Sequence, residues 1–564
     1  MTEPVKPGES PGASVDLTDP YVDREVQMFP RLSPELVGRI AGYGAEEPLA
    51  RGTMLFERGE RGVDFFLVLS GKVEILDTGK HGEPKVISSH GEGQFTGELD
   101  LFSQRRILVS GRAGDGCRVV RVKRADFLRM VSNETDLGEI IMRAFILRRV
   151  RLIRQGAGGV TLVGPEHGAE TLRLERFLTR NGYPFRLVDS DRDPDAEALL
   201  REHGLTVDDL PVVLSSGEHE PLRNPADSEL ADRLGLTEVF DASEVFDVAV
   251  VGAGPAGLAT AVYAASEGLR TVVFEALAPG GQAGTSSKIE NYLGFPTGIS
   301  GQALAARAQI QAQKFGARLA VARPVVGLDC TRDDSHYQLH IADAPPVAAR
   351  AIVVATGARY RKLDVPGHER FEGQGLHYAA TAMEQKLCGS EPVIVVGGGN
   401  SAGQAAVFLS RSTHVHLLVR AGGLEATMSD YLIQRIRSSP AIIFHPHTEI
   451  TGLAGDRELR EVTWTDRRSG TSETLPIRNV FLMIGAEPNT EWLSGCLELD
   501  AKGFVRTGRD VSTPQLSSTF ATSKPGVYAV GDVRAGSVKR VASGVGEGSV
   551  VVQAIHQFLH PSGA

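Results

Sequence analysis

The decisive stretch is FDVAVVGAGPAGLA, residues 246–259. Its apolar run FDVAVVG reads as a buried strand that feeds directly into Gly252-Ala253-Gly254-Pro255-Ala256-Gly257, and the last residues open a helix. Gly252 allows the tight turn. Gly254 lets backbone N–H groups reach a pyrophosphate at the helix N-terminus, and Gly257 permits close packing of helix on strand. The next strand, TVVFE, ends in Glu275, a carboxylate suited to accept hydrogen bonds from ribose hydroxyls. A bare Gly-x-Gly-x-x-Gly has little specificity; here the strand, the helix and the acid accompany it.

A second copy follows downstream. The strand PVIVVG runs into Gly397-Gly398-Gly399-Asn400-Ser401-Ala402, and the strand HVHLLV after it ends at Arg420. An acid there would favour NAD, whereas an arginine suits a 2′-phosphate. Two such units imply two dinucleotides. Near the C-terminus, GVYAVGDV (526–533) is an apolar strand that ends in Gly531-Asp532 and so offers a carboxylate to a ribitol or ribose hydroxyl.

Composition sets the outer limits. The chain has 564 residues, 41% hydrophobic and 23% charged, which at ~150 residues per domain suggests about four domains with real cores. A net charge of −10 argues against a nucleic-acid binder. No apolar run reaches the ~18 residues of a membrane span. The opening MTEPVKPGESPGASVDLTDP is polar and rich in Pro and Gly, so residues 1–20 read as a disordered lead-in and the expected location is the cytoplasm. The four cysteines, Cys117, Cys330, Cys388 and Cys496, form no C-x-x-C pair and no zinc-ligand spacing, so no metal is expected.

Before residue 245 the pattern differs. Residues 21–155 carry short strands with Gly turns, among them FFLVLSGKVEIL (65–76) and KVISSHGEGQF (85–95), and predict a β-roll with helices. The helix LGEIIMRAFILRRVRLIRQ (137–155) crowds Arg148, Arg149, Arg151 and Arg154 at its end, read as a solvated basic face. After the glycine-rich break at 156–159, residues 160–240 alternate strand and helix in a small α/β unit. The expected architecture is a multidomain α/β chain: the β-roll, the small α/β domain, then two Rossmann-like three-layer domains.

Residues 245–564 resemble the low-molecular-weight thioredoxin reductase family. The motifs are GAGPAG, GGQAGTSSKIENYLGFP (280–296), ATGAR (355–359), GGGNSA, GAEPNT (485–490), GDV and KRVASGVGEG (539–548). The resemblance implies an FAD domain (245–370 and 492–564) interrupted by an NAD(P)H domain (371–491), and a homodimer. By position it implies that Gly252, Gly254, Pro255, Ala256, Gly257, Glu275, Gly281, Gln282, Asn291, Thr356, Gly357 and Asp532 touch FAD. Arg540-Val541-Ala542 would present backbone N–H groups to the flavin. Gly397, Gly399, Asn400, Ser401, Ala402 and Arg420 would hold NADPH, with NADH as the alternative and with Arg435 and Arg437 as candidates to replace missing basic residues.

One departure is decisive. With Gly375 aligned on the family glycine, both cysteines of the family's redox pair fall on alanine, Ala379 and Ala382. Alanine offers no thiolate to attack or to leave, so disulfide reduction by the family route is lost. Cys388 reads as an ordinary small buried residue. The expected acceptor is oxygen, a quinone or a protein; the competing reading is a non-catalytic, flavin-holding sensor.

Residues 156–240 resemble a thioredoxin or glutaredoxin fold without cysteines, with Asp209-Leu210-Pro211-Val212 as its cis-proline turn, and with either a spacer role or contact with the flavin domain. Residues 21–155 resemble a cyclic-nucleotide-binding domain, through FERGERGVDFFLVLSGKVEIL and the loop Gly97-Glu98-Leu99 followed by Arg105-Arg106. The resemblance assigns Glu98 to a ribose hydroxyl and Arg106 to a cyclic phosphate, with Gly97, Leu99 and Ser110 beside them. Cyclic AMP or a relative is then a candidate regulator. The bulky Ile107-Leu108-Val109 departs from the family and supports the alternative, a degenerate docking domain. No helix-turn-helix follows, so a transcription factor is not expected.

Overall fold

Continuous apolar runs in this chain become strands covered on both faces, and alternating ones become antiparallel ribbons with one wet face. The computed structural model describes residues 24–560, except 79–83, 98, 104, 156–158, 216–219, 239, 242, 287, 332–334, 379, 381–384, 387, 457, 494 and 513–517. Two compact units result, residues 1–160 with 215–219, and residues 161–214 with 220–564.

The first unit is a β-roll. A three-stranded sheet runs Ala45–Pro48, Arg118–Val122, Phe65–Ser70, and a four-stranded one runs Met54–Phe56, Ser110–Ala113, Lys72–Thr78, Pro84–Gly91. All pairings are antiparallel. Helices Pro34–Ala41, Arg124–Asn133 and Thr135–Gln155 complete it. Its core is aromatic: Phe65 stacks on Phe127 at 5.1 Å, and Phe95 and Phe102 meet Phe145 edge-on at 6.0 and 6.1 Å. Each ring removes on the order of 150 Å² or more from water, which makes this cluster the main stabilising feature of the unit.

The helix end read as a solvated basic face is corrected here. Arg148 and Arg149 are buried, at 7% and 8% exposure. Arg148 donates to the carbonyls of Met28 and Gly97 and lies over the Phe95 ring, and Arg149 pairs with the buried Asp100 at 3.1 Å. The long apolar stems pack inward while fixed acceptors satisfy the guanidinium groups.

In the second unit, a four-stranded sheet runs Leu222–Arg223, Val212–Ser215, Val160–Gly164, Phe185–Asp189. The Leu210–Pro211 peptide is cis, at the turn the sequence marked for it. This segment is tied to the rest of the unit by Arg180 to the Gly281 carbonyl (3.1 Å), Asn181 to the Leu277 carbonyl (3.2 Å) and an Arg323–Asp232 pair at 2.6 Å. Gln374 donates to the His167 carbonyl at 2.9 Å, so the cysteine-free loop meets the start of the next lobe.

The largest sheet is built around Val245–Val251, paired in parallel with Thr271–Glu275 on one side and Val347–Val354 on the other; Val527–Ala529 pairs with Val347–Val354. Tyr337–Ile341 and Val325–Leu328 extend it as an antiparallel meander. A second, wholly parallel sheet runs Leu376–His377, Asn479–Leu482, Val393–Val396, Val415–Val419, Ile442–Pro446. The two lobes are joined by an antiparallel ribbon, Ala358–Tyr360 on Ala486–Pro488.

Candidate dinucleotide sites

The first glycine turn is closed by backbone contacts on every side. Gly252 has φ +106°, its N–H donates to the Phe274 carbonyl at 2.7 Å, and a Cβ there would collide with the Ala355 carbonyl oxygen. A Cβ on Gly257 would collide with the Gly252 carbonyl oxygen, which is the close helix–strand approach expected of it. Gly254 precedes the helix Pro255–Ser266 with no side-chain cap bond. The Ala256 and Gly257 N–H groups of its first turn therefore lack intrahelical acceptors and face the loop as an anion-binding end.

Glu275 does more than the sequence suggested. One carboxylate oxygen accepts the Ala253 N–H at 2.8 Å and the other accepts the Leu277 N–H at 3.0 Å. Gly280 then donates to the Ala253 carbonyl at 2.7 Å, and Gly281, at φ +53°, lies against Gly254. Gln282 follows, exposed. Asn291 is also exposed, and no described contact ties it to the turn.

A second helix N-terminus converges on the same place. Helix Val541–Leu559 packs on Pro255–Ser266 through Gly544 and Gly548, where a Cβ on Gly548 would strike the Ala256 carbonyl. Arg540 is its extended cap, without a side-chain cap bond; its own N–H is taken by the Val538 carbonyl at 2.8 Å. The helix thus offers the Val541 and Ala542 N–H groups rather than that of Arg540. Asp532 is half-buried. Burial pushes its carboxyl pKa up, Lys539 pulls it down and Glu547 adds to the rise. Thr356 donates to the Asn489 carbonyl at 2.8 Å and Asn489 answers to the Thr356 carbonyl at 2.9 Å, which fixes the loop carrying Gly357 at φ +63°.

Glu547 is a position that sequence reasoning missed. It accepts the Gly531 N–H at 2.6 Å and pairs with Arg534 at 2.7 Å, and so orients the turn that carries Asp532. It stood inside a quoted motif, and only its partners reveal its task.

The second turn repeats the backbone device. Gly397 has φ +138°, donates to the Leu418 carbonyl at 3.0 Å, and would collide with the Met483 carbonyl if it bore a Cβ. Gly399 caps helix Asn400–Leu409 with no side-chain cap bond, leaving Ser401 and Ala402 in its first turn. The Asn400 amide oxygen accepts the Ser429 N–H at 2.7 Å, and Thr427 donates to the Gly398 carbonyl at 2.7 Å. Arg420 is exposed and has no ion pair among the described residues. The two substitute cations are engaged elsewhere: Arg435 pairs with Glu290 at 2.6 Å and Arg437 with Glu425 at 2.5 Å.

The cysteines fall into two groups. Cys388 is 2% exposed in the core of the second lobe, as expected. Cys330 and Cys496, 166 residues apart, form a disulfide that their spacing does not signal. It links the meander hairpin to the segment after the second lobe, at neither glycine turn. Ala379 and Ala382 lie outside the described residues, as does Glu98.

In the β-roll, Gly97 has φ +111° and would clash with Leu101 if substituted; its carbonyl accepts from Arg148. Leu99 opens the short turn Leu99–Leu101. The Arg106 backbone pairs with that of Arg61 in an isolated antiparallel β-bridge, and the Ser110 hydroxyl accepts the Arg58 N–H at 3.0 Å. Of these residues only Gly97 lines the internal cavity, whose walls include Ile107 and Val109.

Comparison with known proteins finds matches for two parts of the chain. Residues 246–548 match the family described as Pyridine nucleotide-disulphide oxidoreductase, and residues 46–134 match the Cyclic nucleotide-binding domain. The thioredoxin reductase of Mycolicibacterium smegmatis is 34% identical over 306 residues, 54% of this chain and 93% of that protein. That of Streptomyces clavuligerus is 32% identical over 324 residues, 56% of this chain and 95% of that protein. The crystal structure of Lactococcus lactis thioredoxin reductase superimposes with TM-score 0.52 at 27% identity, covering 56% of this chain and 99% of that one. The T. acidophilum thioredoxin reductase structure gives TM-score 0.51 at 28% identity, over 56% and 98%.

Proposed function

The chain belongs to the pyridine nucleotide-disulphide oxidoreductase family, and from that premise we propose that it is an NADPH-dependent flavoprotein whose electrons leave to an acceptor other than a disulfide of its own. The net reaction takes a hydride from the reduced nicotinamide and a proton from solvent, and reduces the acceptor by two electrons. That acceptor is oxygen, a quinone or a protein partner.

FAD fits the first site: two uncapped helix N-termini, a positive-φ glycine turn that no side chain could replace, and a half-buried carboxyl at Asp532 converge there. When bound, FAD supplies the capacity to take up a hydride and release the electron pair. The chain's own residues bind and orient. The Ala256 and Gly257 N–H groups would hold the pyrophosphate, Asp532 would accept from ribitol hydroxyls, and the Val541 and Ala542 N–H groups would favour negative charge at the pyrimidine edge. At the second site, Ser401 and Ala402 would hold the nicotinamide dinucleotide's pyrophosphate and Arg420 its 2′-phosphate. The protein is proposed to work as a homodimer, with the β-roll as a ligand-sensing module that modulates turnover.

One observation carries the departure from disulfide reduction: alanine occupies both positions of the family's redox pair, and Cys388, the thiol nearest in sequence, is buried in an apolar core. The test is anaerobic mixing with NADPH while the flavin absorbance is followed, then assay with an aromatic disulfide reagent. Rapid bleaching without disulfide turnover is expected. Brisk disulfide turnover that is lost in Cys388→Ser or Cys330→Ser would overturn the proposal, and absence of bleaching would support a flavin-holding sensor instead.

A further inference from the structure

Cys330 and Cys496 bracket the second lobe. After Cys330 the chain completes the first lobe's sheet with Tyr337–Ile341 and Val347–Val354, then crosses by the ribbon strand Ala358–Tyr360. It builds the second parallel sheet and returns by Ala486–Pro488 before it reaches Cys496. The Cα atoms of the two cysteines are 5.2 Å apart, an ordinary spacing for a disulfide. The bond therefore closes a covalent ring that contains the whole second lobe. We propose that Cys330–Cys496 is a site of reversible thiol–disulfide exchange, opened by a dithiol reductant, and that its opening loosens the base of the second lobe and slows electron delivery to the flavin. The last effect rests on the proposed function; the exchange itself does not.

Stabilisation alone does not account for the bond. Disulfides staple small domains whose cores are too meagre to hold them. This unit has several extensive buried clusters, and Cys496, 6% exposed, sits in one of them with Leu493, Leu497 and Val505. The two sulfurs also differ in access. Cys330 is half-buried just after Val325–Leu328, with Asp329 and Thr331 exposed on either side. The Asp329 carboxylate accepts from His340 at 2.9 Å, which tempers its repulsion of an incoming thiolate. Exchange needs one sulfur within reach and one thiol able to leave. Cys330 provides the first and Cys496 the second, whereas Cys117 and Cys388, at 3% and 2% exposure, are out of reach.

The exchange balances. A thiolate of the reductant attacks the Cys330 sulfur, and Cys496 leaves as a thiolate that takes up a proton. The reductant's second thiol then displaces Cys330 and closes the reductant's own disulfide. The protein gains two electrons and two protons, and the dithiol loses them; none comes from the flavin. A chain of contacts carries the change to the first site. The turn Glu491–Leu493 packs on Val325–Leu328, next to Cys330. The Trp492 ring nitrogen donates to the Asn489 carbonyl at 3.3 Å, and the Thr356 hydroxyl donates to the same carbonyl at 2.8 Å. The Asn489 amide returns a bond to the Thr356 carbonyl at 2.9 Å. Asn489 directly follows the ribbon strand Ala486–Pro488, and Thr356 precedes Gly357, whose loop is assigned to the flavin. With the ring open, this path loses its covalent anchor at Cys496, and hydride transfer is sensitive to small displacements of its partners.

The test uses the full-length, flavin-loaded protein, treated with dithiothreitol or with oxidised glutathione and freed of the reagent under anaerobic conditions. Thiol titration after denaturation should count two thiols in the oxidised form, Cys117 and Cys388, and four in the reduced form. Peptide mapping should place the added pair at Cys330 and Cys496. Amide exchange over residues 484–497 and 356–360 should quicken in the reduced form. Flavin bleaching by NADPH should slow by about tenfold and recover after oxidised glutathione is added. Cys330→Ser, at a half-buried position, should bleach at the reduced-form rate whichever reagent is used. A thiol count that is the same under both reagents would overturn the proposal, as would equal amide exchange or equal bleaching rates in the two forms. If NADPH bleaches neither form, the proposed function fails instead, and the thiol count and amide exchange still decide the fate of the clasp.

Discussion

The two glycine turns of the second unit use one backbone and two chemistries. Both first glycines have strongly positive φ, +106° at Gly252 and +138° at Gly397, and both have a carbonyl oxygen where a Cβ would go. Both helices start from an extended glycine without a side-chain cap. They part at the end of the next strand. Glu275 has one oxygen on the Ala253 N–H of the glycine turn and the other on the Leu277 N–H of its own loop, whereas Arg420 makes no ion pair among the described residues. The first turn is knitted by its own acid, and the second leaves its cation exposed. Under the proposed function, a dinucleotide would be gripped by geometry common to both sites and distinguished by a single side chain.

The sharpest way to break this comparison is to place a methyl group at each turn. Gly252→Ala and Gly397→Ala each combine an unfavourable φ with a backbone collision, at a cost of roughly 3 kcal/mol or more. Gly252→Ala should yield protein largely without flavin. Gly397→Ala should retain flavin yet slow its bleaching by NADPH about a hundredfold. Absorbance of the purified proteins and anaerobic stopped-flow reduction check both. Loss of flavin in Gly397→Ala would show that the two turns are not independent.

A smaller effect separates the side chains. Arg420→Ala should raise KM for NADPH by about tenfold to a hundredfold, the usual weight of a charged hydrogen bond to phosphate, and leave KM for NADH nearly unchanged. Steady-state kinetics with both nucleotides, with oxygen or a quinone as acceptor, measures it. Equal KM values for NADPH in wild type and variant would move the 2′-phosphate to another group. Arg435 and Arg437 could contribute only by leaving Glu290 and Glu425.

What was legible in the sequence was what the backbone alone demands. Gly252, Gly257 and Gly397 announce themselves because no other residue fits their φ or their contacts, whereas Gly254 and Gly399 have ordinary φ and leave room for a Cβ. The cis Leu210–Pro211 peptide was legible only through the resemblance of its segment to a thioredoxin fold. Pairings between distant residues were not. Arg149 meets Asp100 across 49 positions, and Cys330 meets Cys496 across 166, so a helix end that looked wet is buried and two scattered cysteines are bonded. Glu547 was visible as part of a motif, but its work on Gly531 and Arg534 depends on a turn and a helix that meet only in the fold. In the β-roll, the apolar triplet after Arg106 marked a departure from the family pattern. The buried His90 gave no signal, because an isolated histidine in a strand looks like any other.

The finest test of the first site concerns the charge on Asp532. Its folded-state pKa is raised, chiefly by burial, with Glu547 adding to the rise and Lys539 opposing it. A raised carboxyl pKa means that the folded chain holds a proton the unfolded chain has released. Stability without ligand is therefore greatest below the ordinary carboxylate range and falls as pH rises through the raised value. A ligand hydroxyl donating to the carboxylate favours the charged form and offsets part of that loss. Asp532→Asn removes the ionisation and keeps one acceptor oxygen. It should raise the melting temperature of flavin-free protein at pH 7 by a few degrees relative to wild type, and the gain should shrink towards pH 4. Flavin affinity should drop by about tenfold, since a neutral amide is a weaker acceptor than a carboxylate. Paired melts of flavin-free and flavin-loaded protein across this pH range read both effects. A gain that persists undiminished at pH 4 would mean that Asp532 is not the titrating group, and an unchanged flavin affinity would remove it from the site.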